Sequence, residues 1–221
     1  MNRIFEKNVF LFDLDGTLIN SMENFSKAVL SVLEENNISY PDGIVTKLAA
    51  LGYQKIAEYY HENYGLKNIE KMRDTMSERA YAEYRDNIEL KSGVFDFLNM
   101  CKHLNISLNV LTASPYRMIE ANFKRNKILG LFDHLLSSEE FGLSKSDPNI
   151  YPLVAKKLNT DLENIVFFDD NVGNIGAAKK SKVLTVGVFD ISGDIFTEDM
   201  KNTADIYINS FTDFKNAFIK E

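Results

Sequence analysis

Three short runs, each ending abruptly in acidic or hydroxyl residues, constrain this chain more than any other feature. Val9-Phe10-Leu11-Phe12 stops at Asp13-Leu14-Asp15-Gly16-Thr17, and Ile165-Val166-Phe167-Phe168 stops at Asp169-Asp170. Ser107-Leu108-Asn109-Val110-Leu111-Thr112 reads the same way. Short apolar runs of this kind suit strands buried on both faces, as in parallel sheets. Leu184-Thr185-Val186-Gly187-Val188 is predicted as another strand and Ile206-Tyr207-Ile208 as a last short one. Helical patterns fall between them. Gly93 to His103 carries an apolar stripe of Val94, Phe97, Leu98 and Cys101, and Pro115 to Asn126 reads as a helix with Pro in its first turn. Pro152 to Leu158 and Ile175 to Lys180 are further candidates. Strands alternating with helices predict an α/β fold with a doubly wound parallel sheet. Ligands of such sheets bind outside the carboxyl ends of the strands, so the polar clusters are expected to meet at one edge.

The stretch from 21 to 91 breaks this alternation. It holds Tyr53, Tyr59, Tyr60, Tyr64, Tyr81 and Tyr84 with many charges, and its periodicity is helical throughout. Gly43, Gly52 and Gly65 are the expected breaks within it. The predicted division is therefore a core of residues 1–20 and 92–221 with a helical insertion of 21–91. A length of 221 residues suits one α/β domain plus such a module, and 45% hydrophobic content supplies a core. Thirty-two acids against 25 bases give a formal charge of −7, which offers no general attraction to nucleic acid or an anionic membrane. An anionic substrate would need a cation or a few placed Lys and Arg side chains. Cys101 is the single cysteine, so no intrachain disulfide forms, and it is expected as a small buried hydrophobe. The N-terminus lacks the long apolar segment of a signal peptide, and no apolar run approaches the roughly 18 residues of a membrane span. A cytoplasmic protein is expected. His61, His103 and His134, scattered among helical or loop segments without ligand spacing, are assigned structural or surface roles.

Asp13 and Asp15 lie one residue apart at a strand end, where they share a side while the backbone stays extended. One carboxylate can then attack as a nucleophile while the other moves a proton, and paired acids suit Mg2+, which prefers oxygen ligands. Each residue has an ordinary role when taken alone. An isolated Asp-x-Asp caps a helix or closes a turn, Thr112 would close a strand-end turn, and Lys145 would be a solvated charge. Asp169-Asp170 could cap a helix beginning near Asn174. Their order around successive strand ends favours a shared site.

Phe12-Asp13-Leu14-Asp15-Gly16-Thr17-Leu18 resembles the first motif of the haloacid dehalogenase superfamily, in its phosphatase branch. Leu111-Thr112-Ala113-Ser114 resembles the second motif and Lys145-Ser146-Asp147-Pro148-Asn149-Ile150-Tyr151 the third. Phe168-Asp169-Asp170-Asn171, with Asn174 and Ala177-Ala178, resembles the fourth. Four motifs in chain order span nearly all of the sequence outside the insertion. The resemblance implies a Rossmann-like core with an inserted α-helical cap. It implies that Asp13 attacks phosphorus to give an aspartyl-phosphate and that Asp15 is the general acid and base. Mg2+ would be held by the Asp13 carboxylate, the Asp15 backbone carbonyl and Asp170. Asp169 would act as a ligand through water or as a group orienting one, beside Asn174, where the motif often carries another acid. Thr112, Ala113 and nearby backbone N–H groups would bind phosphoryl oxygens, and Lys145 would neutralise the phosphate and Asp13. Ser146-Asp147 replaces a more usual Lys-Pro pairing, while Lys145 itself is kept.

The insertion is similar to the cap of the branch containing phosphoglycolate phosphatase and β-phosphoglucomutase, which closes over the site and contributes specificity. Gly52, Tyr53 and Gln54 are its candidate substrate contacts, placed in a cap loop, whereas Lys55 and Arg85 are expected as solvated charges. The mutases of that branch carry a His shortly after the first motif, where this chain has Phe25. Thr17 also matches the phosphatase form, and dehalogenases usually lack the second acid, here Asp15. The expected activity is Mg2+-dependent hydrolysis of a small phosphorylated metabolite. A sugar-phosphate mutase is one alternative. A catalytically silent binding protein is another, disfavoured because Asp13, Asp15, Thr112, Lys145 and Asp170 are all present.

Overall fold

A computed structural model describes residues 2–49 and 51–214. Its strands are β1 (Val9–Phe12), β2 (Ser107–Thr112), β3 (His134–Ser137), β4 (Ile165–Asp169), β5 (Leu184–Val188) and β6 (Ile206–Ile208). They form one sheet in the order β3-β2-β1-β4-β5-β6. Every pairing is parallel. The α/β fold expected from the alternation is therefore present. Its helices are α1 (Met22–Glu35), α2 (Ile44–Ala49), α3 (Tyr53–Tyr64), α4 (Ile69–Asp86), α5 (Val94–His103), α6 (Tyr116–Arg125), α7 (Ile150–Lys157), α8 (Val172–Lys180) and α9 (Thr197–Thr203). Among the described residues no helix is long and apolar enough to cross a membrane.

Each central strand feeds two cores, because successive side chains point to opposite faces. Val9 and Leu11 of β1 join Ile165 and Phe167 of β4 under α7 and α8, with Tyr151, Val154, Ile175 and Ala178. Phe10, Phe12 and Phe168 take the other face. There Phe12 and Phe168 stack at 4.6 Å, and Phe97 of α5 lies 4.6 Å from Phe214 and 5.2 Å from Phe211. Full burial of such rings contributes roughly 2–3 kcal/mol each. The uninterrupted apolar run thus serves a sheet covered on both sides.

Contacts divide the chain into two compact units, Met1–Asn20 with Glu89–Glu221, and Ser21–Ile88. Residues 89–91, expected with the insertion, group with the sheet. Ile19 pairs antiparallel with Leu90, Asn20 N–H donates to the Glu89 carbonyl, and Lys91 N–H donates to the Leu18 carbonyl. The second unit is helical. Its core joins Val29, Val32 and Leu33 of α1 to Ile56, Ala57 and Tyr60 of α3 and to Met72 and Met76 of α4. Tyr60 Oη donates to the Val29 carbonyl at 3.0 Å. Gly52 precedes α3 and Gly65, at φ 68°, ends it.

Several details differ from expectation. β3 was not predicted: it is a four-residue edge strand whose exposed first half breaks the apolar pattern. His134 consequently sits in a strand, not in a helix or loop. Pro115 is the N-cap of α6, in extended conformation, and not part of its first turn. α7 starts at Ile150, two residues before Pro152, whose missing N–H falls where no intrahelical bond is made. α8 starts at Val172, because Asn171 Oδ1 accepts from Gly173 N and Asn174 N at 2.9 and 3.2 Å. The capping role considered for Asp169-Asp170 thus belongs to Asn171.

Candidate active site

In the order β3-β2-β1-β4-β5-β6 the chain winds one way from β1 and the other way from β4, so the switch point lies between these two strands. Asp13 follows β1, and its N–H continues the ladder by donating to the Phe168 carbonyl at 2.8 Å. Asp169 ends β4 and Asp170 follows it. Carboxylate oxygens of Asp13, Asp169 and Asp170 all lie within 4.8 Å of one another. Thr112 ends β2 beside β1.

Lys145 enters this cluster with its side chain 8% exposed. Its ammonium lies 2.5 Å from Asp13 Oδ1 and 2.9 Å from Asp169 Oδ2. Tyr151 Oη donates to the Lys145 carbonyl at 2.8 Å, fixing the backbone behind the ammonium. Asp169, fully buried, also accepts from Asn171 N at 2.7 Å and from Asn174 Nδ2 at 3.1 and 3.2 Å. Protein donors surround its carboxylate, which ties the Lys145 and Asn174 side chains to it. Asn174, standing where an acid was considered, is a donor to Asp169.

Asp170 is held differently. Thr17 Oγ1 donates to its Oδ1 at 3.0 Å, and Gly16 packs against it at φ 77°. A Cβ at Gly16 would overlap the Asp170 carboxylate and sit in a backbone region that L side chains avoid. Asp15 accepts from Ser114 Oγ at 2.6 Å. Ser114 N donates to Thr112 Oγ1 at 3.0 Å, which leaves the Thr112 hydroxyl proton for another acceptor. Ala113 lies exposed between them, just past the end of β2. The core candidates Asp13, Asp15, Thr112, Ala113, Lys145, Asp169, Asp170 and Asn174 therefore sit at one end of the sheet. The roles of Ser114, Thr17 and Tyr151 were not read from sequence. Ser114 lay inside the second motif, and only its bond to Asp15 reveals its part.

Gly52, Tyr53 and Gln54 belong to the other unit. Tyr53 and Gln54 open α3 and do not lie in a loop, since Gly52 is the N-cap. Tyr53 is partly buried against its unit's core, 6.2 Å from the Phe25 ring. Gln54 donates to Glu58 and accepts from Arg73. Lys55 is exposed, and Arg85 pairs with the adjacent Asp86.

Among the described residues three carboxylates share the Lys145 ammonium in this cluster, and the imbalance shows in the acidity of Asp13 and Asp170. Burial pushes the Asp13 carboxyl well above the usual range; Lys145 opposes this, while Asp169, Asp170 and Asp15 add to it. Burial, then Asp169, raises Asp170 to about 7. Burial pulls Lys145 down, but Asp13 and Asp169 outweigh it and raise it. A buried all-oxygen group with surplus negative charge fits a hard divalent cation such as Mg2+. A raised carboxyl gives stability that is complete below its unfolded value of 3.8 and is lost as pH climbs through about 7. Metal-free protein is therefore expected to melt at progressively lower temperature as pH rises across that window. Mg2+ should raise the melting temperature more at pH 7.5 than at pH 5. Calorimetry with and without Mg2+ checks this, and equal shifts at both pH values would contradict it.

The profile of the haloacid dehalogenase-like hydrolases matches residues 10–188. A phosphorylated carbohydrates phosphatase of Thermotoga maritima is 25% identical over 177 residues, covering 78% of this chain and 81% of its own. Among solved structures, CbbY from Rhodobacter sphaeroides in complex with phosphate aligns at TM-score 0.78 and 21% identity, over 93% of this chain and 95% of that one. The β-phosphoglucomutase pgmB of Clostridium difficile aligns at TM-score 0.78 and 19% identity, over 97% and 96%. These two structural likenesses establish a shared fold. With the profile spanning most of the sequence, the chain belongs to the haloacid dehalogenase-like hydrolase family.

Proposed function

We propose that this protein is a Mg2+-dependent phosphatase of a small phosphorylated metabolite, working through an aspartyl-phosphate on Asp13. The observation that carries the reading is Asp13 itself, buried at the switch point and held by the Lys145 ammonium at 2.5 Å. The Asp13 carboxylate attacks phosphorus, and the bond from phosphorus to the ester oxygen breaks. Asp15 gives its proton to that departing oxygen. The same carboxylate then takes a proton from water as the water attacks the aspartyl-phosphate, which releases phosphate and restores Asp13. Lys145 offsets charge on Asp13 and on the phosphoryl oxygens, and the Thr112 hydroxyl donates to one of them. The Asp13 carboxylate, the Asp15 backbone carbonyl and Asp170 would hold Mg2+, with Asp169 acting from behind through Lys145 and Asn174. When bound, Mg2+ supplies positive charge against the phosphoryl oxygens. The helical unit is assigned substrate selection as a cap, with Gly52, Tyr53 and Gln54 as its candidate contacts.

Hydrolysis is preferred to phosphoryl shuttling because Phe25 packs against the insertion's core and Tyr53 and offers no proton-transfer group. Phosphorylated carbohydrates, the class named for the Thermotoga maritima relative, are the first substrates to try. The test is phosphate release from a panel of sugar phosphates, phosphoglycolate and nucleotides, with Mg2+ and with EDTA. Release should stop with EDTA and return with excess Mg2+. Release indifferent to chelation would remove the metal from the reaction, and interconversion of sugar phosphates without release would make the protein a mutase.

A further inference from the structure

Lys91 falls in the stretch expected as the insertion, yet its ammonium is committed to the sheet-bearing unit. It donates to the Gly16 carbonyl at 2.5 Å, to the Phe189 carbonyl at 2.5 Å and to Asp190 Oδ2 at 2.9 Å. An ammonium has three protons, so these three acceptors use all of them. Lys91 is therefore occupied and cannot also bind a substrate anion. Both ends of this bridge are well buried, with the Lys91 and Asp190 side chains 14% and 6% exposed.

The bridge falls at an informative place. Gly16 lies between Asp15, the proposed acid and base, and Thr17, which holds Asp170 at 3.0 Å. Phe189 and Asp190 follow β5, whose neighbour β4 leads into Asp170. Asp190 is itself fixed, since its Oδ1 accepts from Ser192 N at 3.0 Å and from Ser192 Oγ at 2.5 Å. Lys91 is fixed from the backbone side by its N–H bond to the Leu18 carbonyl at 2.9 Å. The loop carrying Asp15 is thus anchored through one side chain to an immobilised carboxylate across the sheet edge.

We propose that Lys91 is a positioning residue for general acid catalysis: by bridging the Gly16 carbonyl to the Phe189–Asp190 loop it sets the place from which Asp15 delivers its proton. The inference rests on the phosphatase reading above. Misplacing a proton donor by about an ångström costs on the order of 10²-fold in rate. That penalty applies where the departing oxygen needs a proton and vanishes where it does not.

The experiment compares kcat/KM for phenyl phosphate, whose leaving group is strongly basic, with that for 2,4-dinitrophenyl phosphate, whose leaving group departs unprotonated. kcat/KM reports steps up to the first irreversible one, so later use of Asp15 as a base does not enter. Lys91→Met should lower the phenyl phosphate value by about 10- to 100-fold and the dinitrophenyl value by less than about threefold. Asp15→Ala, run alongside, should show the same split more strongly. Because Lys91→Met strands Asp190, the double variant Lys91→Met/Asp190→Asn, in which no charge is left unpaired, carries the test if the single variant folds poorly. An equal fall on both esters, or no fall, in the double variant would overturn the proposal, since a merely structural role lowers both together. Wild-type protein hydrolysing neither these esters nor any panel metabolite would instead sink the phosphatase reading, and this inference with it.

Discussion

Asp13→Asn is expected to abolish phosphate release, with kcat falling on the order of 10⁴-fold or more, while the protein stays folded. An amide keeps the shape of the side chain but is a far poorer nucleophile. The folded state should not suffer, because burial is the largest influence raising the Asp13 carboxyl and a neutral amide escapes it. Lys145 retains Asp169 at 2.9 Å, so its charge is not stranded. The melting temperature at pH 7.5 without Mg2+ should therefore equal or exceed that of the wild type, and the added stability conferred by Mg2+ should shrink. Retained turnover would remove Asp13 from its role. A collapse in melting temperature would mean that the carboxylate is needed for folding and that lost activity says nothing of mechanism.

Lys145→Met should produce the largest loss of stability. The ammonium is the partner of two buried carboxylates, on Asp13 and Asp169, and its removal takes this cation from both. Removing one side of a buried ion pair costs about 3–5 kcal/mol, far more than the pair contributes relative to apolar replacements. The direction with pH follows from linkage. Stranded buried carboxylates hold a proton more tightly in the folded state than in the unfolded one, so the loss should be greatest at neutral pH and shrink as pH falls and they take up protons. Urea denaturation at pH 7.5 and pH 5 measures both quantities, and a midpoint loss independent of pH would show that the cost is packing alone. Adding Asp13→Asn to Lys145→Met should recover part of the loss at pH 7.5, because one of the two stranded charges is gone. Activity should fall by about 10²–10³-fold as well, since the ammonium set 2.5 Å from Asp13 is lost.

Much of this was legible without coordinates. Val9–Phe12 and Ile165–Phe168 announced a buried parallel sheet because each strand must satisfy two cores and so carries large apolar residues at both parities. Asp13 and Asp170 were legible because acids directly after such strands fall at the ligand-binding edge. β3 was not legible, since an exposed edge strand of four residues has no apolar rhythm to betray it. The site's supporting groups were equally silent: Ser114 and Tyr151 look like an ordinary turn residue and an ordinary core aromatic until their partners are seen.

The local order of residue types therefore determined the α/β class, the helical character of the insertion and the acids proposed to carry the chemistry. Hydrophobic periodicity and residue type are properties of adjacent positions, and adjacent positions are all that a chain displays. What only the tertiary structure decided is which charge answers which. Lys145 meets Asp13 across 132 residues and Asp169 across 24, and Lys91 meets Gly16 across 75. Those pairings depend on strand order and on burial, which strips away water and makes each remaining partner count. A lysine in sequence is a surface charge by default. These two are buried because the ends of β1, β4 and β5 set carboxylates and carbonyls around them where solvent could not substitute.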